Sequence, residues 1–89
     1  MANFVISRIK VEDFARWKEV YDAHKHARDA AGISEKYLFQ DVDDPNTVTL
    51  LFEAGDMEKA KEFGASEDLI KAMAESGVVG EPGMYYLTD

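Results

Sequence analysis

The chain has no cysteine among its 89 residues. That removes disulfides, thiolate zinc sites and cysteine nucleophiles from consideration. Positive charge is scarce: ten basic residues stand against eighteen acidic ones, a net charge of -8. Such a chain repels nucleic-acid phosphate and anionic membrane, and no basic stripe offsets the repulsion. There is no long apolar run to span a bilayer. The amino terminus runs straight into a strand-like segment, so no signal peptide is expected and a cytoplasmic location is the default expectation. Proline occurs only twice, and the apolar content is too high and too evenly spread for disorder. A serine elbow and a glycine-rich phosphate loop are both missing. The acidic run Asp41, Asp43, Asp44 lacks the spacing and closing glutamate of a calcium loop and reads as a solvated turn.

What is present is one short domain, residues 1–89, with 46% hydrophobic and 31% charged residues. Asn3 to Lys10 alternate, with Phe4, Ile6 and Arg8 on one face and Val5, Ser7 and Ile9 on the other, which predicts a strand. Asp13 caps an expected helix from Phe14 to Ala31, and Gly32 stops it. A strand is expected over Ser34 to Val42, a turn over Asp43-Asp44-Pro45-Asn46, and a third strand over Thr47 to Ala54. Asp56 and Ser66 each cap a further helical stretch, separated by Gly64-Ala65 and ending at Gly77. Glu81-Pro82-Gly83 then leads into a last strand, Met84 to Thr88.

The order β-α-β-β-α-β with right-handed crossovers predicts an α+β, ferredoxin-like fold: a four-stranded antiparallel sheet with the helices on one face. The other face of such a sheet is bare in a monomer, and its strands should then be polar on that side. They are not. Tyr37 and Phe39 oppose Leu38 and Val42, Leu51 opposes Val48, Leu50 and Phe52, and Tyr85 and Leu87 oppose Met84 and Tyr86. Apolar residues on both faces predict a homodimer, with a monomer carrying a partly apolar sheet as the alternative.

The first helix carries the candidate site. At about 100° per residue, His24 and Arg28 fall within roughly 20° of Trp17, in the middle of an apolar arc that includes Val20 and Tyr21. His26 points the other way. Either Arg28 and His24 are satisfied core residues, or Trp17, Tyr21, His24 and Arg28 project into a small pocket with an apolar wall and a few polar groups. In the second reading His24 and Arg28 are the catalytic candidates. Trp17, Tyr21, Arg8 as a further cation, and Tyr37 are the ligand-binding ones. The two histidines are too closely spaced to chelate from one helical face, so no metal and no cofactor are expected.

The stretches Val11-Glu12-Asp13-Phe14 with Trp17-Lys18, His24 with Arg28 and Gly32, Asp43-Asp44-Pro45-Asn46, Ser66 through Met73, and Ser76-Gly77-Val78-Val79-Gly80-Glu81-Pro82 carry a resemblance over nearly the whole chain. It resembles the dimeric α+β barrel superfamily, and within it the small antibiotic-biosynthesis-monooxygenase-like and cyclase-like proteins. The resemblance implies a homodimer whose two sheets face each other, with a cavity between sheet and helices in each subunit. Activities in that group include cofactor-independent oxygenation of polyphenolic aromatics, haem degradation and lactone isomerisation; other members bind ligands without known chemistry. The haem-degrading branch keeps its tryptophan and histidine in the second half of the chain. Here Trp17, His24 and His26 all lie in the first helix, which argues against haem. The expectation is therefore a small-molecule protein. It is either an oxygenase, isomerase or cyclase acting on a compact aromatic or polyketide-like molecule, or a non-catalytic module binding a small apolar or aromatic ligand in the same cavity.

Overall fold

Alternating β-branched and aromatic residues form the first strand, β1 (Asn3–Val11), in a computed structural model that describes residues 2–89. It is followed by α1 (Phe14–Ala23), α2 (Lys25–Ala30), β2 (Ile33–Gln40), β3 (Thr47–Ala54), α3 (Met57–Gly64), α4 (Glu67–Ser76) and β4 (Val78–Thr88). The four strands form one antiparallel sheet in the order β2-β3-β1-β4. This is the ferredoxin-like arrangement expected from the sequence.

The caps are where the polar side chains promise them. Asp13 accepts from the backbone N–H of Ala15, Asp56 from those of Glu58 and Lys59, and Ser66 from that of Leu69. Each satisfies a donor that the first helical turn would otherwise leave open. Gly77 closes α4 at φ 85°, a left-handed conformation in which a side chain would be strained.

Pairing fixes which side chains see the helices. Val5, Ser7, Ile9 and Val11 of β1 point inward, as do Val48, Leu50, Phe52 and Ala54 of β3, and all are buried. Together with Ile33, Trp17 and Ala60 they make up most of the core. The outer face carries Phe4, Ile6 and Arg8 beside Leu51 and Thr49, flanked by Tyr37 and Phe39 on β2 and by Tyr85 and Leu87 on β4. Tyr37, Phe39, Tyr85 and Leu87 are between 44% and 59% exposed.

Three expectations about the elements need correction. The first helix is broken at His24, whose φ of -92° and ψ of 7° leave the α region, so α1 and α2 are separate. Val42 is fully exposed in the turn rather than at the end of β2. The last strand begins at Val78, well before Met84. Pro82 lies within it because β4 is an edge strand, where a missing N–H leaves no ladder bond unmade, and because the pairing with β1 shifts register between Arg8 and Lys10.

The turn residue Asn46 fastens the turn before β3 to the junction between β1 and α1. Its side-chain oxygen accepts from the Phe14 N–H, its amide donates to the Glu12 carbonyl, and its own carbonyl accepts from the Val11 N–H. Asn46→Ala is expected to lower stability by about 1–3 kcal/mol, because a part-buried N–H at the start of α1 loses its acceptor. A urea melt checks this; a loss below about 0.5 kcal/mol, the range of ordinary surface positions, would show that water replaces the side chain without cost.

Candidate functional site

The sheet and the helices do not close completely. They enclose a cavity of about 80 Å³, walled by Val5, Ile9, Ile33, Leu50 and Phe52 from the sheet and by Trp17, Ala60, Phe63, Leu69 and Met73 from the helices. Ser7, Tyr21 and Arg28 bring polar groups to it. A second space of about 50 Å³ adjoins it, sharing Trp17, Tyr21, Arg28, Leu69 and Met73, with His24 on its wall. Beyond His24 an open groove of about 290 Å³ runs between α1 and α4, past Val20, Asp68, Lys71 and Glu75. His24 borders both the groove and the second space, which in turn shares five wall residues with the cavity.

Arg28 is 92% removed from solvent, being 8% exposed, and no carboxylate among the described residues pairs with it. Its Nη1 donates to the Tyr21 carbonyl at 2.8 Å, which caps the broken end of α1, and its guanidinium carbon sits 3.7 Å from the centre of the Tyr21 ring. Trp17 stacks on Tyr21 with ring centres 4.7 Å apart. The Tyr21 hydroxyl donates to Glu35 at 2.6 Å. Burial, and then that bond, push the Tyr21 hydroxyl well above the ordinary tyrosine value, while Arg28 pulls it down. Tyr21 is therefore a neutral phenol committed to Glu35, and the positive charge on Arg28 stays uncompensated.

This shift has a sign that can be tested. The folded value lies above the unfolded one, near 10. The contribution is thus complete below about pH 10 and is lost as the pH rises toward the folded value, because only the unfolded chain ionises readily there. Tyr21→Phe is expected to flatten the alkaline fall in stability above pH 10; an unchanged alkaline limb would assign that fall to other groups.

His24 occupies the break between α1 and α2. Its Nε2 lies 2.8 Å from Oδ2 of Asp68 on α4, and its ring stacks on Phe63 with centres 5.9 Å apart. The contact with Asp68 fixes the orientation of the ring, and the tautomer decides which of its nitrogens donates. The sequence reading aimed His24 at the sheet. The structure turns it toward α4, at the mouth of the cavity, because the helix unwinds at this residue. Asp68 had no signal in the sequence, since a carboxylate in the first turn of a helix is commonplace. His26 is exposed and contacts the Ala23 carbonyl.

The structure does not bring Arg8 and Tyr37 to this site. Both point from the outer face of the sheet, where period two sends every second residue. Arg8 forks onto Asp41 at 2.7 and 3.0 Å and donates to Thr49. Tyr37 stacks on Phe39. Ser7, by contrast, was read only as a face of β1, yet it is a buried hydroxyl in the cavity wall. The available signal was a serine between Val5 and Ile9 in an otherwise apolar row. Among the described residues no cluster of three or more His, Asp or Glu is placed to hold a metal ion, and no helix is long and apolar enough to cross a membrane.

A fold of this order, with a cavity between sheet and helices, has solved counterparts. A protein classed as an antibiotic biosynthesis monooxygenase from Bordetella bronchiseptica superposes with a TM-score of 0.79 at 15% identity, covering 99% of this chain and 96% of that one. The fold is that of the antibiotic biosynthesis monooxygenases. A protein of the same description from Caulobacter crescentus gives a TM-score of 0.73 at 19% identity over 97% of this chain and 87% of the other. SnoaB, a cofactor-independent oxygenase from Streptomyces nogalater, gives 0.68 at 14% identity over 94% and 90%. No family model matches the sequence, and no curated protein matches it. At these identities the monooxygenase-like likeness is one of fold, and fold hosts many chemistries.

Proposed function

We propose that the chain is a small-molecule protein of the antibiotic-biosynthesis-monooxygenase-like kind. In this reading it works as a cofactor-independent oxygenase, isomerase or cyclase on a compact aromatic or polyketide-like molecule. The observation that carries the proposal is the buried, carboxylate-free guanidinium of Arg28 in the wall of a largely apolar cavity, with His24 bordering the adjoining space. Arg28 would hold an oxygen as it becomes an enolate or phenolate, worth most where water is excluded. His24, oriented by Asp68, would take or return the proton at the cavity mouth. Trp17 and Tyr21 would line the substrate's apolar flank.

The proposal includes a homodimer. Tyr37, Phe39, Tyr85 and Leu87 make an exposed apolar surface on the sheet, larger than scattered side chains explain. Its one ionic fork, Arg8 with Asp41, is already paired within the chain and asks nothing of a partner. A second copy meeting this face would close the barrel.

The test is a screen of single-ring phenols and enolisable ketones for oxygen uptake or isomerisation, run on wild type and on His24→Ala. Turnover that falls about a hundredfold in the variant, in the range of a lost general base, supports the catalytic reading. Saturable binding with no turnover of any compound would replace it with the non-catalytic binding module. No binding at all would remove both.

A further inference from the structure

We infer that the cavity takes a small anion, a carboxylate on a short apolar body, held by the guanidinium of Arg28, the hydroxyl of Ser7 and the indole N–H of Trp17. This rests on the reading of the cavity as a ligand site and narrows its ligand. The chain has eighteen acidic residues, and none of them lines the cavity. Every sealed side-chain nitrogen and oxygen among the described residues has a hydrogen-bond partner. Ser7 and Trp17 are 7% and 3% exposed and neither polar group is bonded within the protein, so each has open space beside it, and both residues line the cavity. Water or a ligand entering that space must supply their partners.

The character of these groups sets the ligand's chemistry. Arg28 and the Trp17 N–H can only donate, and a serine hydroxyl donates readily. Tyr21, the other polar side chain of the cavity wall, donates its hydroxyl hydrogen to Glu35, and the antechamber adds His24, bonded to Asp68, and Ser76, which donates to the Met73 carbonyl. A wall that offers donors, a full positive charge and no acidic acceptor fits an oxyanion with two or more lone pairs, and a carboxylate can span a guanidinium in bidentate fashion. The rest of the wall is apolar, so the remainder of the ligand is too.

Volume sets the size. An apolar cavity of about 150 Å³ holds benzene. The 80 Å³ cavity alone falls short of that, and with its 50 Å³ antechamber it approaches it. A short branched aliphatic acid fits; a single-ring acid, which is benzene with a carboxylate added, and a fused-ring acid both exceed the space.

Trp17 is the only tryptophan and sits in the wall, so its emission reports occupancy. The experiment titrates wild type with isobutyrate and pivalate, with their neutral amides, and with 1-naphthoate. The carboxylates should bind at least about tenfold more tightly than the amides, the gain of a charge-assisted bond over a neutral one, and 1-naphthoate should not bind. Arg28→Met should abolish the preference for the acids. Ser7→Ala, which removes one oxygen and leaves the guanidinium in place, should weaken the acids severalfold and the amides less; it decides the matter if Arg28→Met does not fold. Amides binding as tightly as acids would overturn the anion while leaving the cavity as a ligand site. Tight binding of 1-naphthoate would overturn the size limit. No response of Trp17 to any probe would overturn both this inference and the ligand-site reading beneath it.

Discussion

Replacing Trp17 with alanine is expected to lower the stability of the chain by about 3–5 kcal/mol. Trp17 is the largest side chain of the core, in contact with Phe14 at 5.7 Å and Tyr21 at 4.7 Å between ring centres. Its removal would enlarge a cavity already present rather than let the helices collapse onto the sheet, so the transfer and cavity costs both apply. A domain of this size has only about 5–15 kcal/mol in hand, so the variant should be close to unfolded at physiological temperature. Trp17→Phe should lose much less, since it keeps one ring against Tyr21. Denaturant melts followed by far-ultraviolet circular dichroism make the comparison. A loss under about 1 kcal/mol in Trp17→Ala would mean that α1 is held by its caps and by Asn46 instead of by this ring.

The second large effect concerns the outer face of the sheet. Wild type is expected to sediment at twice its 10.0 kDa chain mass at micromolar concentration. The double variant Phe39→Glu with Tyr85→Glu should sediment as a single chain. Both positions are exposed in the monomer, so new carboxylates there cost the fold little. In a two-fold dimer each substitution counts twice, and each buries an unpaired charge worth several kcal/mol. Association should weaken by more than a thousandfold on that arithmetic, at tenfold for each ~1.4 kcal/mol. A wild type that stays a single chain throughout the micromolar range would contradict the paired-sheet account, and a double variant that still dimerises would place the interface elsewhere.

The sequence made the fold legible because each level agreed. Asp13, Asp56 and Ser66 announce helix starts that the structure confirms by hydrogen bond, and the alternation in β1 and β3 assigns each side chain to the correct face. Less was legible where backbone geometry departs from the ideal. The wheel that placed His24 beside Trp17 assumed an unbroken helix. The break between Ala23 and Lys25 turns the ring toward Asp68, and no residue there is a glycine or proline that would have signalled it. The early start of β4 was hidden by Gly80 and Pro82, which read as loop but are tolerated on an edge strand.

For the candidate site, periodicity brought Trp17, Tyr21 and Arg28 together correctly, because all three project from neighbouring helical turns onto the sheet. It could not tell Arg8 from a site residue, since a cation in a strand looks the same whichever face it serves. Pairing with Asp41 across the outer face is a contact between residues 33 positions apart and has no local signature. Ser7 and Asp68 went unread as site residues for the same reason: their significance lies in what the fold sets opposite them.

If Arg28 is kept in the interior for a ligand rather than for the fold, removing its guanidinium should not cost stability. Replacing Arg28 with Met keeps an unbranched side chain and removes the guanidinium, with its charge, its bond to the Tyr21 carbonyl and its contact with the Tyr21 ring. A buried cation without a carboxylate lowers stability, and groups retained for binding are commonly of this kind. Arg28→Met is then expected to melt at a temperature equal to or higher than that of wild type. A loss of about 2–5 kcal/mol would contradict it, showing that the bond to the Tyr21 carbonyl and the contact with the Tyr21 ring are what Arg28 is there to make.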